Sequence, residues 1–98
     1  MKLYAIRRPY GWATPAELQA AAARSKQVGD EEMSADIRWI RSYVVEEADG
    51  RLGTICIYQA SSPEKIREHA QRADLPATEI FTVVDTVIVR PDPVSVAA

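Results

Sequence analysis

Few residues in this chain can do chemistry. Cys56 is its single cysteine and His69 its single histidine. A thiolate and an imidazole can each ligate a transition metal; the histidine could also carry a proton, and the thiol could enter redox chemistry or bridge two chains. Arg41 and Tyr43 stand two apart in a stretch that also holds Trp39, and Tyr58 follows Cys56 by two. On a strand, a spacing of two places side chains on one face. Trp39, Arg41, Tyr43 and Val45 are therefore expected beside Cys56 and Tyr58, with Ile40, Ser42, Val44, Ile55 and Ile57 on the opposite face. The first face mixes rings, a thiol and a cation, and chemistry is expected there. Arg41 stays protonated at any relevant pH, so in apolar surroundings it needs a carboxylate partner or an anionic ligand, whereas at the rim of the face it would simply be solvated.

What must position these groups is the stretch 37–60, which reads as a β-hairpin. β-branched and aromatic residues fill both arms, and Asp49-Gly50 supplies the positive φ angles of a type I′ turn. That turn sets Ala48 opposite Arg51, Tyr43 opposite Cys56 and Arg41 opposite Tyr58. A bulge at Gly53 would slip the register by one and exchange the faces beyond it.

Around the hairpin, Lys2 to Arg8 alternates as a first strand and is closed by Pro9-Tyr10-Gly11. Thr14, Pro15 and Glu17 then form a helix start, with Glu17 reaching back to the cap's amide. The helix is expected to reach Val28, with Leu18, Ala21, Ala22 and Val28 as its apolar stripe and Gly29 as its stop. Asp30, Glu31 and Glu32 read as a solvated connection in preference to a cation site, and Met33 as a plug at the core edge. Ser62-Pro63-Glu64 opens a second helix, which runs to Arg72 or Ala73 before Leu75-Pro76 ends it. Its Ile66, His69, Ala70 and Ala73 share one face. Residues 79–90 give a long last strand, stopped by Pro91, Asp92 and Pro93.

The order is β-α-β-β-α-β, the ferredoxin-like α+β arrangement: a four-stranded antiparallel sheet with both helices on one face. Residues 1–90 form one domain, and 91–98 a short tail expected to be mobile. Two helices cover one side of such a sheet. The other side carries Trp39, Tyr43, Val45 and Tyr58, an apolar patch that needs a partner, and a second copy related by a two-fold axis would cover it.

Ninety-eight residues, 47% hydrophobic and 27% charged, suffice for a globular core without metal or disulfide. The net charge of −2 gives no electrostatic case for nucleic acid or anionic lipid. No apolar run approaches a membrane span, and arginines follow too soon for a signal peptide, so the cytoplasm is expected. There is no nucleophile beside a base, no glycine-rich phosphate loop and no paired CxxC motif. No residue is assigned as catalytic.

At Trp39-Ile40-Arg41-Ser42-Tyr43-Val44, Cys56-Ile57-Tyr58 and Ile66-Arg67-Glu68-His69-Ala70 the chain resembles a family of small ferredoxin-like proteins of mostly unknown function. The Thr14–Leu18 helix start, the Leu75-Pro76-Ala77 turn and the Asp92-Pro93 ending extend the likeness over nearly the whole chain. The resemblance implies a dimeric α+β barrel, and one branch of the family is described as nickel-binding. In that branch, the resemblance implies metal ligands at the positions of Cys56 and His69 and a histidine where this chain has Arg41. A guanidinium has no lone pair to donate and repels a metal ion. Two ligands rarely hold one, so Glu68 or a second subunit would have to complete the site.

For each group a plainer reading stands beside the functional one. His69 also reads as a buried helix residue bonded to backbone or Glu68, Cys56 as an inert core thiol, and Trp39, Tyr43 and Tyr58 as interface packing. The favoured expectation is a cytoplasmic homodimer that binds nickel, zinc or a small ligand between its sheets, with Cys56 and His69 toward metal and Trp39, Arg41, Tyr43 and Tyr58 toward ligand. Two alternatives remain: a cofactor-free barrel enzyme acting on a small acidic molecule, in which Arg41 orients the substrate and His69 or Tyr43 moves a proton, and a structural interaction module.

Overall fold

The computed structural model describes residues 1–76 and 79–94. Strand β1 spans Lys2–Trp12, helix α1 Pro15–Gln27, β2 Ile37–Glu46, β3 Leu52–Ala60, helix α2 Pro63–Arg72 and β4 Glu79–Val83. All neighbouring strands pair antiparallel in the order β2-β3-β1-β4, the ferredoxin-like α+β topology. Period-two alternation on β1 buries Tyr4, Ile6, Arg8 and Trp12 on the face the helices cover. Ile66, Ile37, Tyr58 and Met33 join Tyr4 and Ile6 in the core.

Both helices begin as their sequences dictate. The Thr14 hydroxyl accepts the Glu17 amide at 3.2 Å and the Ser62 hydroxyl accepts that of Lys65 at 3.3 Å, with Pro15 and Pro63 at the first helical positions. Glu17 does reach back, but to the amide of Ala13, one residue before the cap. Gly29 does not stop α1. The chain continues into a π-helical turn over Val28–Glu32, closed by the Met33 amide on the Val28 carbonyl at 3.0 Å. Met33, 4% exposed, then turns the chain into the core.

The hairpin forms with a register one residue away from the expected one. Gly50 has φ +87°, whereas Asp49 keeps an ordinary φ, so the turn is not type I′. Instead the Gly50 amide bonds to the Glu47 carbonyl and the Glu47 amide to the Arg51 carbonyl, a glycine-bulge hairpin. Ser42 therefore faces Cys56, Tyr43 faces Ile55 and Arg41 faces Ile57. A second irregularity at Ile40 restores the phase, and Trp39 pairs with Tyr58. The expected face is thus divided: Trp39, Cys56 and Tyr58 lie on the helix-covered side, while Arg41 and Tyr43 lie on the open side with Ile55 and Ile57.

The last strand is shorter than the 79–90 expected. β4 pairs with β1 from Glu79–Arg7 to Val83–Leu3, one residue short of the start of β1 at Lys2. Residues 84–94 continue without strand pairing and leave Val84, Val87, Ile88 and Val89 exposed. Ala77 and tail residues 95–98 lie outside the described residues.

Gly53 matters by close approach rather than by a bulge in β2–β3. Between Arg8 and Trp12 the pairing of β1 with β3 slips, and Tyr10 takes φ +54°. Glu47 folds over this spot. Its carboxylate accepts Arg7 Nη2 at 2.8 and 2.9 Å and the Tyr10 amide at 2.9 Å, and the Arg7 bond, then the Tyr10 bond, lower its pKa. A Cβ on Gly53 would sit 2.8 Å from the Arg8 carbonyl oxygen and 2.9 Å from Arg7 Nη1, and would collide with the Glu47 carboxylate. Gly53→Ala is therefore expected to lower stability by about 2 kcal/mol or more, read from urea unfolding. Glu47→Gln should flatten the loss of stability that the parent shows as pH falls through the carboxylate range, because a lowered folded pKa gives stability above that range and withdraws it below.

Candidate functional site

Tyr58 stands in β3, one of the two inner strands, and is 1% exposed, so its hydroxyl requires a partner. That partner is the Ser25 hydroxyl of α1 at 2.8 Å. Burial outweighs this bond and raises the phenol pKa. Trp39 of β2 stacks at 6.1 Å between centroids and 21° between planes, and His69 of α2 meets the ring edge-on at 5.3 Å. The Arg8 guanidinium of β1 lies 5.9 Å from the same ring centroid. Four elements around β3 thus place a side chain against one ring.

His69, wholly buried, sets its Nε2 3.0 Å from the Ser25 carbonyl. A carbonyl can only accept, so Nε2 carries the proton in this contact and Nδ1 holds the lone pair. Nδ1 is buried without a partner among the described residues. Desolvation lowers the His69 pKa, the Ser25 bond raises it and the Arg8 charge lowers it further, leaving a net decrease. Cys56, 4% exposed, donates its thiol to the Thr54 hydroxyl at 3.3 Å. Cys56 and His69 therefore share one side of the sheet, each already engaged.

Between α1 and the sheet lies a cavity of about 330 Å³, bordered by Arg8, Trp12, Leu18, Trp39, Cys56 and Tyr58 among others. Arg8 is 1% exposed. Its Nη1 donates to the Pro76 carbonyl, and its Nη2 has no partner among the described residues.

Arg41 and Tyr43 make a separate cluster across the sheet. The Tyr43 hydroxyl donates to Asp92 Oδ2 at 2.7 Å, and Arg41 Nη1 reaches the same oxygen at 3.2 Å and the Tyr43 hydroxyl at 3.5 Å. Tyr43 and then Asp92 hold the guanidinium more firmly protonated than usual. Residues 4–83 match the family described as nickel responsive protein SCO4226-like. The chain belongs to that nickel-responsive family. In fold it is similar to the crystal structure of SCO4226 from Streptomyces coelicolor A3(2), with a TM-score of 0.69 at 20% identity over 87% of this chain and 99% of that one. No curated protein matches it.

A nickel-responsive family poses the question whether these side chains fit a metal. Among the described residues no three of His, Cys, Asp and Glu come together in an arrangement that could hold a metal ion. On the covered side, Cys56 and His69 have the buried Arg8 cation for company, which opposes a divalent ion. On the open side, Asp92 is shared between a guanidinium and a phenol. Neither set fits nickel within one chain. Sequence reasoning missed Arg8, Ser25 and Asp92; for Arg8 the alternation Tyr4, Ile6, Arg8 placed a charge in line with core residues.

The neutral His69 ring has a measurable consequence. Below the ordinary imidazole value, about 6.5, the unfolded chain takes up a proton that the folded chain resists, so stability is full above that pH and declines beneath it. Urea unfolding between pH 7.5 and 5.5 should show this decline with a slope no steeper than about 1.4 kcal/mol per pH unit, the limit for one proton. His69→Phe should level it.

Proposed function

We propose that the protein is a non-enzymatic, cytoplasmic binding protein that works as a homodimer through the open face of its sheet, and that its family's link to metal operates at this shared face. The observation that carries the reading is the apolar open face, where Tyr43, Ile55 and Phe81 are 42%, 37% and 53% exposed and the chain continues into exposed Val87, Ile88 and Val89. A patch of this kind calls for a partner, and a second copy offers the same surface. The lone buried thiol, Cys56, fits a reducing compartment. Among the described residues no helix is long and apolar enough to cross a membrane.

A metal held between two copies would draw on ligands from both, and Arg41 stands where the family resemblance implies a histidine. Its charge works against the ion, so metal binding is weak in this chain. The acidic-substrate alternative loses ground for a related reason, since Arg41 already has a carboxylate beside it.

Light scattering should find a dimer at tens of micromolar, and Phe81→Arg should yield monomer. Calorimetric nickel titration should show weak binding by the parent and a gain of at least about tenfold, 1.4 kcal/mol, in Arg41→His. A monomeric parent would remove the dimer, and an unchanged Arg41→His titration would remove the metal reading.

A further inference from the structure

Arg8 is the odd residue on the covered side. A guanidinium does not lose its proton, and a buried charge without a counter-charge is strongly unfavourable. Neighbouring Arg7 has Glu47, whereas no carboxylate stands within ion-pair distance of Arg8 among the described residues. Its contacts are the Pro76 carbonyl through Nη1 and the Tyr58 ring face, while Nη2 is left over. This donor belongs to a side chain that borders the cavity under α1.

The rest of the lining is of another kind. Trp12, Trp39 and Tyr58 contribute rings, Leu18, Ala22 and Leu75 aliphatic surface, and Ser42 and Thr54 hydroxyls. A volume of about 330 Å³ lies at the lower end for ligand sites and admits a body of about ten non-hydrogen atoms. A fixed cation at the edge of a small, ring-lined space is complementary to a molecule with one anionic group and a flat apolar remainder.

We propose that the cavity beneath α1 is a binding site for a small aromatic monocarboxylate, its carboxylate on the Arg8 guanidinium and its ring between Trp12, Trp39 and Tyr58. The carboxylate gives Arg8 the counter-charge it lacks among the described residues, and the guanidinium, 1% exposed, turns its free Nη2 toward the cavity to donate to it. The ring replaces water on apolar walls. Because this site and the open face lie on opposite sides of the sheet, it does not depend on the proposed dimer or on metal.

The test is titration of the full chain with phenylacetate, followed by calorimetry and by the fluorescence of Trp12 and Trp39. Saturable binding is expected, with 2-phenylethanol, which lacks the charge, at least about tenfold weaker. Arg8→Met should abolish that preference, and because it removes an unpaired buried charge it should fold at least as well as the parent. Ala22→Leu, which leaves Arg8 in place and fills the space, should block phenylacetate by itself. No saturable binding by the parent would overturn the site. So would equal affinity in Arg8→Met or in Ala22→Leu, while equal competition by sulfate or acetate would overturn the aromatic ligand class.

Discussion

Burying the Tyr58 hydroxyl under two helices obliges the fold to meet it with a polar partner, and Ser25 does so from α1. The same serine's carbonyl holds the His69 ring, which in turn rests its edge against Tyr58. One residue of α1 thereby ties α2 and the sheet together, and the positions of both helices follow from satisfying two buried polar groups. The space under α1 follows too: its Ala21 and Ala22 are small, so the wide rings of Trp39 and Tyr58 border an opening there.

Much of this was legible in the sequence. The helix starts at Thr14 and Ser62 rest on local capping chemistry, which acts within four residues and needs no tertiary information. The strand order was readable because two amphipathic helices and four alternating runs leave few topologies. The register was not. Asp49-Gly50 suits several hairpin loops, and the one adopted goes with contacts that local sequence does not reveal: the Glu47 carboxylate is held by Arg7 and the Tyr10 amide some 40 positions away in the chain. The irregularity at Ile40 follows from tertiary packing as well, since Trp39 joins the core while Arg41 remains with solvent.

For the site, the right residue types were visible but their grouping was not. A one-residue slip sends every second side chain to the opposite face, so an error at Gly50 and a compensating bulge at Ile40 were enough to part Arg41 and Tyr43 from Cys56 and Tyr58. The resemblance correctly pointed to a nickel-responsive family, yet family membership carries no information about Arg8. Its importance comes from an imbalance, a charge without an opposite charge among the described residues, and only the packed structure reveals that.

The end of β4 reaches beyond stability into how the chain is handled after synthesis. From Thr86 to Val89 the backbone carries β-branched side chains and, among the described residues, no strand beside it. Such a run is a template for edge-to-edge growth. Left uncovered it makes solubility depend on chain concentration and on how quickly a partner arrives, so overproduction would tip the protein toward aggregation before folding itself became limiting. Asp85, Arg90 and the prolines at 91 and 93 bracket the run with residues that interrupt β-pairing, a brake on open-ended stacking at the point where the sheet runs out of its own strands.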